Sequence, residues 1–328
     1  MTKNFAHTLF ALALAAMIWG ASPLFAQGKL VGRRVSSGEG SLRSPASERD
    51  IPATLSVGNF GTIDFPGASD SSAYSVNDRG DFVGGYGPDT ASNFSDTGFF
   101  LTDDAFKKIS YPGAIQTGAF GVNNSGEIVG SYLDSSNNEH GFQLVKGVYT
   151  SIDVPGASLT QVEGVNDSGE IVGLYYPTGS STGYGFYLVG GTYTTIAVAG
   201  AAGTYAGAVN NAGEIVGQYV DTSGNYHGFL CRSGTFITID YPGAVYSSLL
   251  AINEQGEVAG EYGDGISFSE GFQHGYVYSK GQYLNVDAPF VGNASTWIYG
   301  INKFGVIAGG YVDSSGRNYG FTATVSEP

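Results

Sequence analysis

The sequence predicts an all-β fold, a six-bladed β-propeller of four-stranded antiparallel blades, from three observations. A unit of about 45 residues recurs six times, and three turn signals divide each unit into four short strands. The 328 residues also include 52 Gly, 22 Tyr and 20 Phe. Gly costs a helix about 1 kcal/mol at each interior position, whereas aromatic residues suit pleated strands, so an all-helical protein is excluded.

The units are anchored on Asn77, Asn123, Asn166, Asn210, Asn253 and Asn302, with steps of 46, 43, 44, 43 and 49 residues. Gly stands three residues after each Asn and again seven after, and Tyr stands nine after: Tyr86, Tyr132, Tyr175, Tyr219, Tyr262 and Tyr311. In the third unit, strands are expected over residues 162–165, 170–176, 184–189 and 192–198. The first turn, Asn166-Asp167-Ser168-Gly169, pairs an Asn that bonds its own backbone with a Gly that takes positive φ. Gly190-Gly191 makes a tighter turn before the fourth strand.

Units are joined by Pro66-Gly67-Ala68, Pro112-Gly113-Ala114, Pro155-Gly156-Ala157, Ala199-Gly200-Ala201 and Pro242-Gly243-Ala244, with Ala288-Pro289-Phe290 as the last variant. Pro ends the outer strand and Gly swings the chain back to the hub. Small residues alternate with β-branched ones just before each Asn (Ser75-Val76, Gly164-Val165, Gly300-Ile301), as a crowded axis requires. The last unit has only three strands and a spare strand precedes the first Asn, so the N-terminal strand is expected to close the ring by pairing into the last blade. An open β-solenoid is the alternative architecture.

Ahead of the repeats, Lys3, an apolar run from Leu9 to Trp19, a break at Gly20 to Pro23 and Ala26 form a signal peptide over residues 1–26, cleaved after Ala26. The protein is therefore expected to be secreted or periplasmic. The apolar run is too short for a bilayer, which needs about 20 residues, so no membrane span is expected. Residues 27–55, rich in Ser, Gly and Arg, are read as a disordered linker, and residues 56–328 as the propeller domain. Cys231 is the sole cysteine, which excludes an internal disulfide. With 14 basic and 29 acidic residues the net charge is −15, and a surface of that sign repels nucleic-acid phosphates and anionic lipid.

His140-Gly141-Phe142, His227-Gly228-Phe229 and His274-Gly275-Tyr276, each downstream of an Asn-x-x-Gly-Glu-[Ile/Val]-[Val/Ala]-Gly-x-Tyr stretch, resemble the bacterial extracellular HAF repeats, named for a His-Ala-Phe tripeptide. The resemblance spans about 270 residues. It implies export and a repeat architecture, and no settled activity. Here Gly replaces the central Ala throughout, and Thr97, Tyr184 and Tyr319 replace the His in the other copies.

Chemistry is sparse by comparison. The sequence holds no Gly-x-Ser-x-Gly elbow, His-Glu-x-x-His, phosphate loop or paired-Cys metal spacing. Equivalent positions on different blades lie around a ring, so the three His are read as structural. Calcium is the one cofactor the acidic turns raise, but each offers a single carboxylate where calcium wants six or more oxygens, so no cofactor is assigned. Six residues before each Asn stands a hydroxyl (Ser71, Thr117, Thr160, Thr204, Ser247, Thr296), and the next position varies as Ser72, Gly118, Gln161, Tyr205, Ser248 and Trp297. A fixed hydroxyl with a changing neighbour suggests a ligand-binding rim of Gln161, Tyr205, Tyr246, Thr296 and Trp297. The alternative is that the hydroxyls cap the loop and the aromatics pack between blades. The expected function is an exported non-catalytic binding or cell-surface interaction module with a carbohydrate or protein ligand. A propeller enzyme acting on polysaccharide is the alternative, and facing carboxylates about 5–10 Å apart in the centre would mark it.

Overall fold

The computed structural model describes residues 55–87, 97–265, 272–290 and 295–326. The leader assigned to residues 1–26 and residues 27–54 of the linker lie outside them, as do parts of three stretches where the repeat is broken: 88–96, 266–271 and 291–294. Leu55, the last residue of the expected linker, is buried in the core cluster that also holds Val325.

Six four-stranded antiparallel sheets make up a six-bladed propeller, and the described residues contain no helix. In the third blade the strands run Ala157–Val165, Ile171–Pro177, Tyr184–Val189 and Thr192–Ile196, hydrogen-bonded in that order. The inner strands of the six blades are Asp70–Val76, Gln116–Val122, Ala157–Val165, Gly203–Val209, Tyr246–Ile252 and Ser295–Ile301. Ser56–Ile63 forms the outer strand of the last blade, with Thr62 opposite Phe321 and Ile63 opposite Gly320 on Asn318–Ser326.

The repeated residues have local physical causes. In the first turn the Gly takes positive φ (Gly169, 76°) and its N–H returns to the Asn166 carbonyl. The Asn166 side-chain oxygen accepts the N–H groups of Ser168 and Glu170, both at 3.0 Å. Before five of the six outer strands, all but Ser56–Ile63, both residues of the tight turn have positive φ, as in Lys146-Gly147 and Gly190-Gly191, the geometry that matches strand twist. At Gly173, an added Cβ would overlap the Gln161 carbonyl oxygen on the neighbouring strand and stand 2.8 Å from the Phe186 ring.

The His-Gly-Phe tripeptide divides its work among three residues. The aromatic (Phe99, Phe142, Phe186, Phe229, Tyr276, Phe321) fills each blade's core and is almost wholly buried. Gly228 must be Gly because a Cβ there would come within 2.6 Å of the Ile239 carbonyl oxygen and 3.0 Å of the next blade's Leu249. His227 places Nδ1 2.8 Å from Asp240 and Nε2 3.6 Å from Asp221, and stacks on Tyr219 at 5.0 Å. The repeated Tyr continues the stack: Tyr262 lies 3.7 Å from Tyr241 and 5.1 Å from His274, and its hydroxyl donates to Asn285 at 2.9 Å.

The anchoring Asn also joins the blades. Its side-chain nitrogen donates to the main-chain carbonyl of the next Asn, from Asn77 to Asn123 at 3.0 Å and onward through Asn166, Asn210, Asn253 and Asn302. Asn302 completes the circle by donating to the Asn77 carbonyl at 2.9 Å. A cyclic chain of buried hydrogen bonds thus encircles the axis at the end where the inner strands finish.

Candidate functional site: the axial channel

The repeated hydroxyl proves to be a turn cap. Thr204 accepts the Val198 N–H at 3.0 Å, Ser247 accepts that of Tyr241 at 2.8 Å, and Thr296 accepts that of Ala288 at 3.1 Å. Its acceptor oxygen therefore serves the connection between blades, the second of the two readings open from sequence.

Gln161, Tyr205, Tyr246, Thr296 and Trp297 do not form an open rim, because they lie on inner strands and every one is buried. Gln161 faces Leu174 across the sheet and Trp297 faces Gly310. Tyr205 packs with Tyr176, Leu174 and Val220, and burial pushes the Tyr176 phenol up to about 12. Of the five, only Tyr205 reaches an axial cavity. The physical reason for the correction is that the aromatics are flush with strands stacked against neighbouring blades, where their area serves packing. Trp297→Ala is therefore expected to lower stability by about 3 kcal/mol, as loss of a buried indole does. Chemical denaturation of the purified variant measures this, and a variant as stable as the parent would restore the rim.

Two cavities occupy the axis. The one of about 100 Å³ opens at the Asn end, and the inner one of about 70 Å³ has room for several water-sized groups. Between them stands a ring of residues that sequence reasoning missed: Tyr74, Phe120, Glu163, Gly207, Leu250 and Tyr299, each three positions before its Asn. A register shift occurs at each of these positions, for example between Val162 and Gly164, and turns the extra residue toward the axis. The discoverable signal was chemical variety at one position of an otherwise repetitive strand.

The ring is asymmetric. Tyr74 packs edge-on to Phe120 at 5.5 Å and to Tyr299 at 5.3 Å, so three aromatics wall one side. Glu163 lines both cavities, and its Oε1 is sequestered without a hydrogen-bond partner among the described residues. Burial, reinforced by the nearby Glu139 carboxylate, holds its carboxyl well above the usual range. Beside it Gly207 leaves a gap. The nearest neighbours of a Cβ there would be the Leu249 and Leu250 carbonyl oxygens at 3.5 Å and Leu250 Cα at 3.6 Å, ordinary contacts, so packing does not demand this Gly.

The outer mouth is polar: Asp78, Asn124, Asp167, Asn211, Glu254 and Lys303 each follow an anchoring Asn. Asn124 donates to Asp78 at 2.7 Å and to Asp167 at 2.9 Å, and Lys303 Nζ lies 3.2 Å from Asp78. Burial raises the Asp167 carboxyl, but hydrogen bonds from Asn211 and Asn124 outweigh that and hold it below its usual value. Burial raises that of Glu254. Three carboxylates against one Lys leave the mouth electronegative.

Other titratable groups stand apart. The three His lie on different blades, each between its own two Asp. The acidic turns are internally satisfied: Asp221 accepts from Ser223 N, Asn225 N and the Asn225 amide at 2.7–2.9 Å. Those bonds, the Asn225 side chain first, hold its carboxyl at about 2. Among the described residues no three His, Cys, Asp or Glu side chains are grouped to hold a metal ion. Cys231 is buried in its blade core, where burial raises its thiol. Glu261 is fully buried opposite Ser248, has no hydrogen-bond partner among the described residues, and is pushed up to about 8 by burial, but it lines neither cavity.

No helix among the described residues is long and apolar enough to cross a membrane. No protein-family model matches the chain. No curated protein matches it either. Among solved structures it is similar to AofleA from Arthrobotrys oligospora, with 12% identity over 79% of this chain and 84% of that one and a TM-score of 0.48. The Aleuria aurantia lectin, a six-bladed β-propeller with a fucose recognition mode, shares 10% identity over 79% and 96% of the two chains at a TM-score of 0.46. The β-propeller domain of the trilobed protease from Pyrococcus furiosus, described as an open velcro topology, shares 10% over 79% and 97% at 0.45. These likenesses concern the fold, and the propeller assignment here follows from the chain's own sheet order.

Proposed function

We propose that the protein is an exported, non-catalytic binding module of the cell exterior that holds a group of a glycan or protein ligand in its axial channel. The observation that carries this reading is the axial ring, where a six-fold scaffold presents five side chains of aromatic, acidic and aliphatic chemistry and one gap at Gly207. A repeated position cannot encode a unique site, whereas a broken one can. Export is supported by the leader pattern around Lys3 and the run Leu9 to Trp19. Among the described residues Glu163 is the acidic residue that lines the inner cavity, with the Glu139 carboxylate nearby.

Gly207→Leu copies the neighbouring blade's Leu250 and fills the gap. Probed on glycan and peptide arrays beside the parent protein, this variant is expected to lose the retained ligands while melting at the parent's temperature. Equal retention by both proteins would place binding elsewhere and overturn the proposal.

A further inference from the structure

The axial cavity combines features that together define a ligand class. Glu163 presents a sequestered carboxyl oxygen with neither a cation nor a donor beside it among the described residues. Unpartnered carboxyls are costly to bury, and the cost is recovered when a positive group arrives. The opposite wall is made by Tyr74, Phe120 and Tyr299, and aromatic walls attract ammonium groups through their ring quadrupoles. The way in passes Asp78, Asp167 and Glu254, while Lys303, the one cation lining the mouth among the described residues, lies 3.2 Å from Asp78. Charged clefts of this kind concentrate ions of the opposite sign.

The width of the passage narrows the class further. Neighbouring inner strands lie close together around the axis, since a Cβ on Gly164 would stand 3.1 Å from Ala208 Cα and one on Gly300 2.9 Å from Ser75 Cα, and the inner cavity they help enclose holds only about 70 Å³. A slender alkyl stem suits such an axis better than a pyranose ring carrying its amine directly. We propose that the channel binds a linear alkylammonium group, as on a lysine side chain of a protein partner, with Glu163 as its counter-ion and Tyr74, Phe120 and Tyr299 as its aromatic wall. This inference rests on the channel being the binding site, and it names what the channel takes.

The test titrates the purified chain with n-butylammonium chloride, n-butanol and glucosamine at constant ionic strength, followed by calorimetry and by the NMR signals of the channel aromatics. n-Butylammonium is expected to bind at least about tenfold more tightly than n-butanol, a difference of about 1.4 kcal/mol, and glucosamine not at all. Glu163→Gln, nearly isosteric, should erase that preference while the protein stays folded, and Gly207→Leu should abolish binding of both probes. Equal affinity for the alcohol, an unaffected Glu163→Gln, binding of glucosamine in place of n-butylammonium, or no binding of n-butylammonium would each overturn the ammonium assignment. Binding of n-butylammonium and n-butanol that survives Gly207→Leu would instead refute the channel itself as the site.

Discussion

Deleting the closing strand, residues 56–63, is expected to abolish the soluble fold. That strand supplies the fourth strand of the last blade, and without it the nine-residue strand Asn318–Ser326 keeps a free edge. Its side chains are also core: Val57 and Phe60 pack with Leu55, Phe321 and Val325, and Phe60 lies 6.1 Å from Phe321 and 6.5 Å from Phe290. Ile63 is buried at the junction with the first blade, against Ala73 and Phe99. At roughly 1.5–3 kcal/mol for a fully buried apolar side chain, losing the buried Ile63 and the half-buried Val57 and Phe60 costs about 3–6 kcal/mol. That is a large part of the whole net stability of an ordinary domain, about 5–15 kcal/mol. Soluble yield and far-ultraviolet circular dichroism are the readouts, and a truncated chain that stays soluble and melts cooperatively would show that the ring does not depend on this closure.

Asn210→Ala is expected to cost about 4–6 kcal/mol, more than any exposed substitution and more than Trp297→Ala. The Asn210 side chain accepts from Ala212 N at 3.1 Å and Glu214 N at 3.0 Å, and donates to Glu214 Oε2 at 2.9 Å and Asn253 O at 3.2 Å. Removing it strands two backbone donors and a neighbouring blade's carbonyl beside a residue only 3% exposed. Each stranded buried group costs about 1–3 kcal/mol. Asn210→Asp preserves the acceptor but turns the donor face into a carboxylate aimed at a carbonyl oxygen and the Glu214 carboxylate, so it too should destabilise. Urea titration of both variants measures the effect, and a loss below about 1 kcal/mol for Asn210→Ala would mean that the axial hydrogen-bond circle contributes little.

Much of this was legible beforehand because its causes are local. The Asn-x-x-Gly turn closes within four residues, and the second Gly is demanded by the adjacent strand's carbonyl. Blade number follows from counting copies. The hydroxyl caps are also local, linking residues six or eight apart, but a Thr in a list of residues does not say whether its oxygen serves backbone or ligand. That ambiguity produced the rim of Gln161, Tyr205, Tyr246, Thr296 and Trp297, of which only Tyr205 reaches a cavity.

The sequence by itself determined the repeat, the turns, the six-fold strand count and the acidic balance of the chain. Those properties depend on backbone conformation and side-chain chemistry within one unit. Only the tertiary structure decided what faces the axis. A single extra residue in each inner strand moves Tyr74, Phe120, Glu163, Gly207, Leu250 and Tyr299 out of the pleat's alternation and into the channel. No pattern within one unit reveals that shift, because no one residue type recurs through all six positions, and the ring they form closes only when the last blade meets the first.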